Sequence, residues 1–510
     1  MEQAESAKTL YQKLETDRKI YLDRARDASK ITIPYLFPPE GFSSSSRLNT
    51  PWQSVGARGV NNLSAKLLLA LLPPNTPFFR LVIDEMKAKE EEDVTDELLA
   101  ELEKSLQKIE QVTMKEVAKG KFRTSMSTAL KHLIVGGNVC LSAPKKGELR
   151  MYHLDRYVVK RDPSGNVLLV ITQEEIAKEA VPESIANHVL PDGTSTKAEA
   201  LQLYTCQRRL NHKTVIIWQE IDGVPVPDSA YEAPIDEAPL IPLRFTLIDG
   251  EDYGRGLIED YLGDLESLEA LTKAIREGAS ASAKVMFFVK PNGATSQKVL
   301  AESPNGAIVS GDVDDVGTLQ VQKHADFRVA MEEKRAIEER LNSVFLTATG
   351  MVRNAERVTA EEIRMLQQEL EVQHGGLYTL LASEGQLPLA KRLLKRLEDA
   401  KSLPKLPTDI IDPVIITGVE ALGRGNDLAM LDNFANGIQQ MFGPEGLKMY
   451  LNPTEYLSRR ASALSINVEG LVRSADEVQA QQEQEAQQAM MQKAMPQVVQ
   501  QGGKMLANGE

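Results

Sequence analysis

Asp252–Ile275 reads DYGRGLIEDYLGDLESLEALTKAI, with Leu257, Tyr261, Leu265, Leu268, Leu271 and Ile275 at helical spacing. Apolar residues three and four apart share one helix face, so this spacing predicts an amphipathic helix with a single buried stripe. A small-residue run, GASASA at 278–283, lets the chain close up behind it. Met286–Lys290 then reads as a strand, and Pro-Asn-Gly turns at Pro291 and Pro304 compact a segment ending near Lys323. The helical period returns over Asp326–Leu346, where Phe327, Met331, Ile337, Leu341 and Val344 share a face. Helix, small mixed insert and second helix form one hairpin-like unit.

Outward from that unit the chain alternates between helix and strand. Thr347–Val358, TATGMVRNAERV, is a loop, and Thr359-Ala-Glu-Glu362 is a capping box opening a helical region that runs to Ala400 with a break near Gly375-Gly376. DPVIITG (412–418) reads as a strand, 427–475 as helix, and 479–501, with its ten glutamines, as polar helix or disorder. On the N-terminal side, residues 1–30 form a charged amphipathic helix, Ile31–Pro39 is extended, and Gly41–Thr50 is a serine-rich loop. Leu67–Leu72 is an apolar block ended by Pro73-Pro74. It is far short of the ~20 residues a membrane span needs, so Trp52–Leu72 reads as a core helix with Val60, Ala65, Leu68, Leu69 and Leu72 inward. Phe78–Ile83 is a strand. Thr95 caps a helix to about Val117 whose apolar face is Leu98, Leu102, Leu106 and Ile109. Residues 138–250 carry short β-rich runs, and the proline-rich string 221–243 reads as a surface connection. The fold class is α+β, predominantly helical.

Composition narrows the function. The chain has 510 residues and a net charge of −14, a poor balance for tight nonspecific DNA binding, which rests on Lys and Arg. Cys140 and Cys206 make neither a zinc site nor a disulfide framework, which points to a reducing compartment. Phosphate-loop, zincin and nucleophile-elbow patterns are all missing; Gly254-Arg-Gly256 starts a dinucleotide fingerprint that Glu259 breaks. Asp312-Val-Asp314-Asp315 resembles a calcium loop, but Val316 and Lys323 stand where ligands belong, so it reads as an exposed acidic loop. The six histidines have no metal-ligand spacing. No catalytic residue, cofactor or metal is expected. Basic residues gather as Lys273, Arg276 and Lys284 on the first helix, Lys334, Arg335 and Arg340 on the second, and Arg353 and Arg357 in the loop after it. Surface ion pairing, such as Glu332 with Arg335, is the plain reading of these charges.

The strings TPWQSVGARGVNNLSAKLLLAL, RYVVKRDPSGNVLLVITQ, EDYGRGLIEDYLGDLESLE, ERVTAEEIRMLQQELE and ALGRGNDL resemble, in the same order, the head-to-tail connector (portal) proteins of short-tailed phages. The resemblance covers roughly residues 5–430; the last 80 residues match only in kind. It implies a dodecameric ring at one capsid vertex. The wing would be 1–251, the first stem helix 252–285, the clip 286–323 and the second stem helix 324–346. A tunnel loop would follow at 347–358, then a wing return at 359–426 and a crown with its Gln-rich tail at 427–510. On that resemblance Arg353, Arg357 and the six helix cations become candidate contacts to double-stranded DNA in the channel. Lys290, Asn292, Asn305, Asp312, Asp314 and Asp315 become clip candidates for the terminase large subunit and a tail adaptor. The other implied partners are major capsid, scaffolding and internal core proteins, with no membrane insertion, host-cytoplasmic assembly and a final place in the virion. Two other readings compete: an enzyme with an unrecognised site, and a soluble scaffold or adaptor without a DNA channel.

Overall fold

Helix α1 (Ala7–Ile31) turns Ala7, Tyr11, Leu22, Ala25 and Ala28 inward along one face. The computed structural model describes residues 5–43, 45–73, 77–83, 96–119, 121–145, 147–181, 185, 200–282, 286–304, 306–319, 324–347, 376–404, 411–415 and 431–443, with single positions at 185 and between 449 and 460. The buried Glu220 carboxylate accepts from the Ala7 amide (2.8 Å) at the start of α1, where an anion complements the helix dipole. Residues 31–39, expected to be extended, instead fold into turns. The Ser29 hydroxyl donates to the Ile33 carbonyl (2.7 Å) and accepts from the Phe37 amide (3.1 Å), so Ile33, Leu36 and Phe37 tuck into the core.

Helix α2 (Val55–Leu71) contains the apolar block. Its innermost stripe is Val60, Leu63, Leu67 and Ala70, each fully buried, whereas Ala65 and Leu68 of the expected face are half-buried. Val60, Leu69 and Leu72 are buried as expected, and the innermost stripe follows the i, i+3, i+7, i+10 positions from Val60. Strand β1 (Phe79–Ile83) and helix α3 (Asp96–Lys119) follow. On α3, Leu106 and Ile109 are buried as expected, but Leu102 is exposed, and Thr113 and Val117 continue the face. Thr95 lies outside the described residues. Glu110 is buried on α3 because it accepts the edge amide of Leu81 on β1 (2.8 Å).

Helix α4 (Phe122–Gly136) leads into β2 (Asn138–Ser142) through Gly137, whose φ of +73° gives a left-handed helix end. Then come β3 (Arg150–His153), β4 (Tyr157–Arg161), β5 (Val167–Ala177), β6 (Ala200–Arg209), β7 (Thr214–Ile221), β8 (Val224–Pro225), β9 (Tyr231–Pro234) and β10 (Leu240–Arg244). Strands β4 to β8 form an antiparallel sheet in chain order, with β9 also pairing β7; β10, β2 and β3 form a second sheet. The string 221–243 is therefore not a surface connection: it supplies β8, β9 and β10, and β10 is buried along its whole length. Leu240, Ile241 and Leu243 pay for the buried backbone because β10 pairs fully with β2, and Pro242 opposite Cys140 is tolerated there. Cys140 and Cys206 are buried free thiols.

The hairpin-like unit begins with α5 (Leu257–Asp260) and α6 (Leu262–Ser282), passes through β11 (Met286–Val289), α7 (Gln297–Glu302) and β12 (Val316–Leu319), and returns along α8 (His324–Val344). The single helix expected from Asp252 is thus broken at Tyr261. Further along, α9 (Leu377–Leu381), a π-turn (Ala382–Gln386), α10 (Leu387–Asp399) and β13 (Ile411–Ile415) complete the first unit, residues 1–417, and β13 pairs antiparallel with β1. Gly376, φ +84°, precedes α9, and the helical stretch expected on its N-terminal side lies outside the described residues. Residues 418–510 form the second unit, where helix 431–443 exposes Phe434, Met441 and Phe442.

Candidate functional site

The helix pair α6/α8 and the insert between them are the candidate site. On α6, Leu265 and Leu268 are fully buried and Leu271 and Ile275 half-buried, as is Tyr261 at the break before it. On α8, Ile337 and Leu341 are buried, but Met331 is 52% exposed, contrary to its place on the expected face. The insert-proximal halves lie outside the core: no described residue is buried from Lys273 to Ala281 or from Phe327 to Ala336. These halves pack on each other where Phe327 sits against Gly278; a Cβ there would fall 2.3 Å from the ring.

Three joints fasten the pair to the N-terminal body. At the first, the Gly254-Arg-Gly256 motif lies backbone to backbone against α4: a Cβ on Gly256 would be 2.6 Å from the Val135 carbonyl. Asn138 locks the approach, its side chain donating to the Gly254 carbonyl (2.8 Å) and accepting the Gly254 amide (2.7 Å). Between those glycines, Arg255 pairs with Glu251 (2.7 Å) and Glu259 (2.6 Å); these bonds raise its pKa further and hold Glu251 below the usual carboxylate range. At the second joint, Glu269 on α6 accepts from the Trp52 (2.8 Å) and Gln53 (3.0 Å) amides just ahead of α2. At the third, Asn62 and Lys66 on α2 donate to the carbonyls that end α8. Sequence reasoning missed all three; only the paired glycines, orphaned from any phosphate motif, and a lysine inside an apolar run signalled them.

The structure disperses the basic residues. Arg340 pairs with Asp264 (3.1 Å) and ties α8 to α6, Lys334 pairs with Glu338 (3.1 Å), and Lys273 lies 4.0 Å from Glu277. Arg276 stands 5.8 Å over the Trp52 ring. Arg335 makes no ion pair with a described residue, so the expected Glu332 pairing is not formed. Lys284, Arg353, Arg357 and Asn305, and with them most of the 347–358 loop and the Thr359 capping box, lie outside the described residues.

In the insert, β11 and β12 pair antiparallel, with Val289 opposite Val316. Asp315 is not part of an exposed acidic loop: it is 8% exposed and accepts from the Ala294 (2.7 Å) and Thr295 (3.3 Å) amides, with the Lys290 ammonium 3.7 Å away. A carboxylate reaching from the turn before β12 thus holds the amides that follow the Pro291 turn. Asp312, Asp314, Lys290 and Asn292 face solvent, alongside exposed Phe288, Ile308 and Val313. Among the described residues no group of three or more His, Cys, Asp or Glu could hold a metal, and no helix is long and apolar enough to cross a membrane.

The model of the bacteriophage head-to-tail connecting protein family matches residues 4–472. The chain belongs to that family. The portal protein of Escherichia phage T7 is 38% identical over 99% of this chain and 94% of its own length. That of Enterobacteria phage T3 is 38% identical over 96% and 92%, and that of Enterobacteria phage SP6 is 33% identical over 96% and 96%. A chain from the virion of a native gene transfer agent particle aligns over 81% of this chain at 12% identity and a TM-score of 0.36, too loose a likeness to place elements. This connector chain is thus a portal protein of the short-tailed phage type, with a mixed helix-and-strand fold.

Proposed function

We propose that about twelve copies of this chain close into a ring at one capsid vertex, and that double-stranded DNA enters and leaves the head through its channel. In this reading 1–251 is wing, α6 and α8 are stem, 286–323 is clip, 347–358 is the tunnel loop, 359–426 returns to the wing and 427–510 is crown. The observation that supports it most is the uncovered half of the helix pair. Val329 and Met331 are 65% and 52% exposed on an otherwise charged helix, surface that a neighbouring copy would cover. Arg353 and Arg357 serve as DNA contacts at the axis, with Lys273, Arg276, Lys284, Lys334, Arg335 and Arg340 as weaker rings along the stem. A largely acidic lumen with few basic rings passes duplex DNA through shallow wells, because trapping needs many neutralised phosphates. The clip face, with Lys290, Asn292, Asn305, Asp312 and Asp314 beside exposed Phe288 and Ile308, receives the terminase large subunit and later the tail adaptor; Asp315 shapes that face from within. Capsid, scaffolding and internal core proteins complete the vertex. Hydrolysis of ATP falls to the terminase, and this chain carries no catalytic step.

Native mass spectrometry with negative-stain images of the same full-length sample tests the ring. A particle of about twelve subunits with an axial hole is expected; a compact dimer or tetramer without a hole overturns it. In phage assembly, an Arg353→Ala, Arg357→Ala pair that leaves packaging and genome retention untouched overturns the basic-ring assignment.

A further inference from the structure

We propose that Asn62 and Lys66 are positioning residues for the segment that follows α8, a role that rests on the reading of 347–358 as the channel loop. Gly59, Asn62 and Lys66 are spaced i, i+3, i+7 and fall on one stripe of α2. That stripe receives the end of α8. Phe345 fills the space beside Gly59, where a Cβ would lie 2.3 Å from its ring. The Asn62 side-chain amide donates to the carbonyls of Phe345 (3.0 Å) and Leu346 (3.1 Å), and the Lys66 ammonium donates to the Leu346 carbonyl (2.9 Å).

Each feature costs something that plain packing would avoid. Lys66 is 2% exposed inside an apolar run, and a buried ammonium survives only where it is paired. Leu346 has a φ of +53°, a left-handed backbone that a γ-branched residue adopts at a cost. The cation and the carbonyls suit each other, because the end of a helix leaves carbonyls without partners and carries the negative end of its dipole. Asn342 then holds the next residue, accepting from the Thr347 amide (2.9 Å) and hydroxyl (2.6 Å). The chain's direction at Thr347 is therefore set by side chains of α2, in the N-terminal body, rather than by α8 alone. A shift of α2 would be carried directly to the point where the segment bearing Arg353 and Arg357 departs.

The test uses the full-length, ring-assembled protein. Lys66→Met keeps the apolar stem and removes the ammonium; Asn62→Ala is the milder variant should Lys66→Met fail to fold. Leu63→Ala, on the same helix without a bond to α8, is the control for simple destabilisation. Trypsin cleavage after Arg353 and Arg357 is followed by mass spectrometry, with genome retention measured in parallel. Cleavage at both sites is expected to rise about tenfold in Lys66→Met and less in Asn62→Ala, beyond the rise in Leu63→Ala at a matched loss of melting temperature. Faster cleavage with reduced genome retention supports the positioning pair and the channel loop together. Faster cleavage with full retention supports the pair and overturns the channel reading of 347–358. Cleavage no faster than in Leu63→Ala overturns the positioning role, whatever retention does.

Discussion

The N-terminal body and the α6/α8 pair are built from similar helices and finished differently. In the body, α2 and α4 bury stripes such as Val60–Leu63–Leu67 and Leu130–Leu133–Ile134 completely within the single chain. In the pair, burial stops at Thr272 on α6 and begins only at Ile337 on α8. Amphipathic patterning cannot tell these cases apart, because an interface stripe and a core stripe obey the same period. On the ring reading proposed above, what separates them is the partner: the body contains its own, and a neighbouring copy would complete the pair.

The joint between the two should give the largest effect. Gly256→Val would drive a branched side chain into the Val135 carbonyl 2.6 Å away, where neither backbone can yield. A loss of about 3 kcal/mol or more in chemical denaturation is expected, with no ring recovered. A variant that still assembles would show the joint to be compliant and blur the distinction between the regions. Next in size, Leu133→Ala in the fully buried body should cost about 2–5 kcal/mol, whereas Met331→Ala in the pair should leave subunit unfolding within about 0.5 kcal/mol and instead lower ring yield. Equal effects of both on the isolated subunit would break the comparison.

A cluster inside the body comes third. Arg161 and Arg244, each 3% exposed, converge on Glu384 in the π-turn; Arg244 Nε donates to it at 3.0 Å and Arg161 lies at 3.3 Å. Arg161 also donates to the Pro242 and Gly165 carbonyls at 2.9 Å. Glu384→Gln leaves two buried guanidinium groups facing each other without a counter-charge, and a loss of about 3 kcal/mol in denaturant titration is expected, at the lower end of what a broken buried pair costs. An unchanged midpoint would mean that solvent and the nearby Asp252 carboxylate already offset the cluster's charge.

These contrasts also show what was legible from residues alone. The stripe from Leu257 to Ile275 and strand β11 follow from local periodicity and turn chemistry, so they could be read; β12, which pairs with β11, could not. The split at Tyr261 could not, because the apolar stripe continues through it. The string 221–243 reads as a connection because its prolines hide β10, whose fate is decided by pairing with β2. Resemblance of long strings, rather than any chemical motif, carried the function. The anchors of the site stayed hidden since Asn62, Lys66, Asn138 and Glu269 act through backbone groups, and no sequence pattern marks which carbonyl or amide a side chain will meet.

At neutral pH the smallest effect lies in a stacked histidine pair of the body. The His132 and His153 rings are 5.8 Å apart and 17° from parallel, and Phe37 meets the other side of His132 edge-on at 4.9 Å. Burial, reinforced by His153, pushes His132 down to about 3, and burial also lowers His153, against the pull of Asp155 and with the push of Arg156 and Arg18. In the unfolded chain both take up protons near 6.5, while the folded chain excludes the His132 proton until about 3. Stability from this exclusion is therefore complete above about pH 6.5 and is lost as pH falls toward 3, at about 1.4 kcal/mol per pH unit for each excluded proton. His132→Phe, which keeps an aromatic ring against Phe37, should flatten the fall in melting temperature between pH 6.5 and 4.5, where the carboxylates have not yet taken over. Because the pair lies in the body, ring yield from already folded subunits should follow the same curve in both proteins. A steeper acid loss of rings in the wild type than in His132→Phe, with melting unchanged, would move this histidine from the folding half of the molecule to the assembling half.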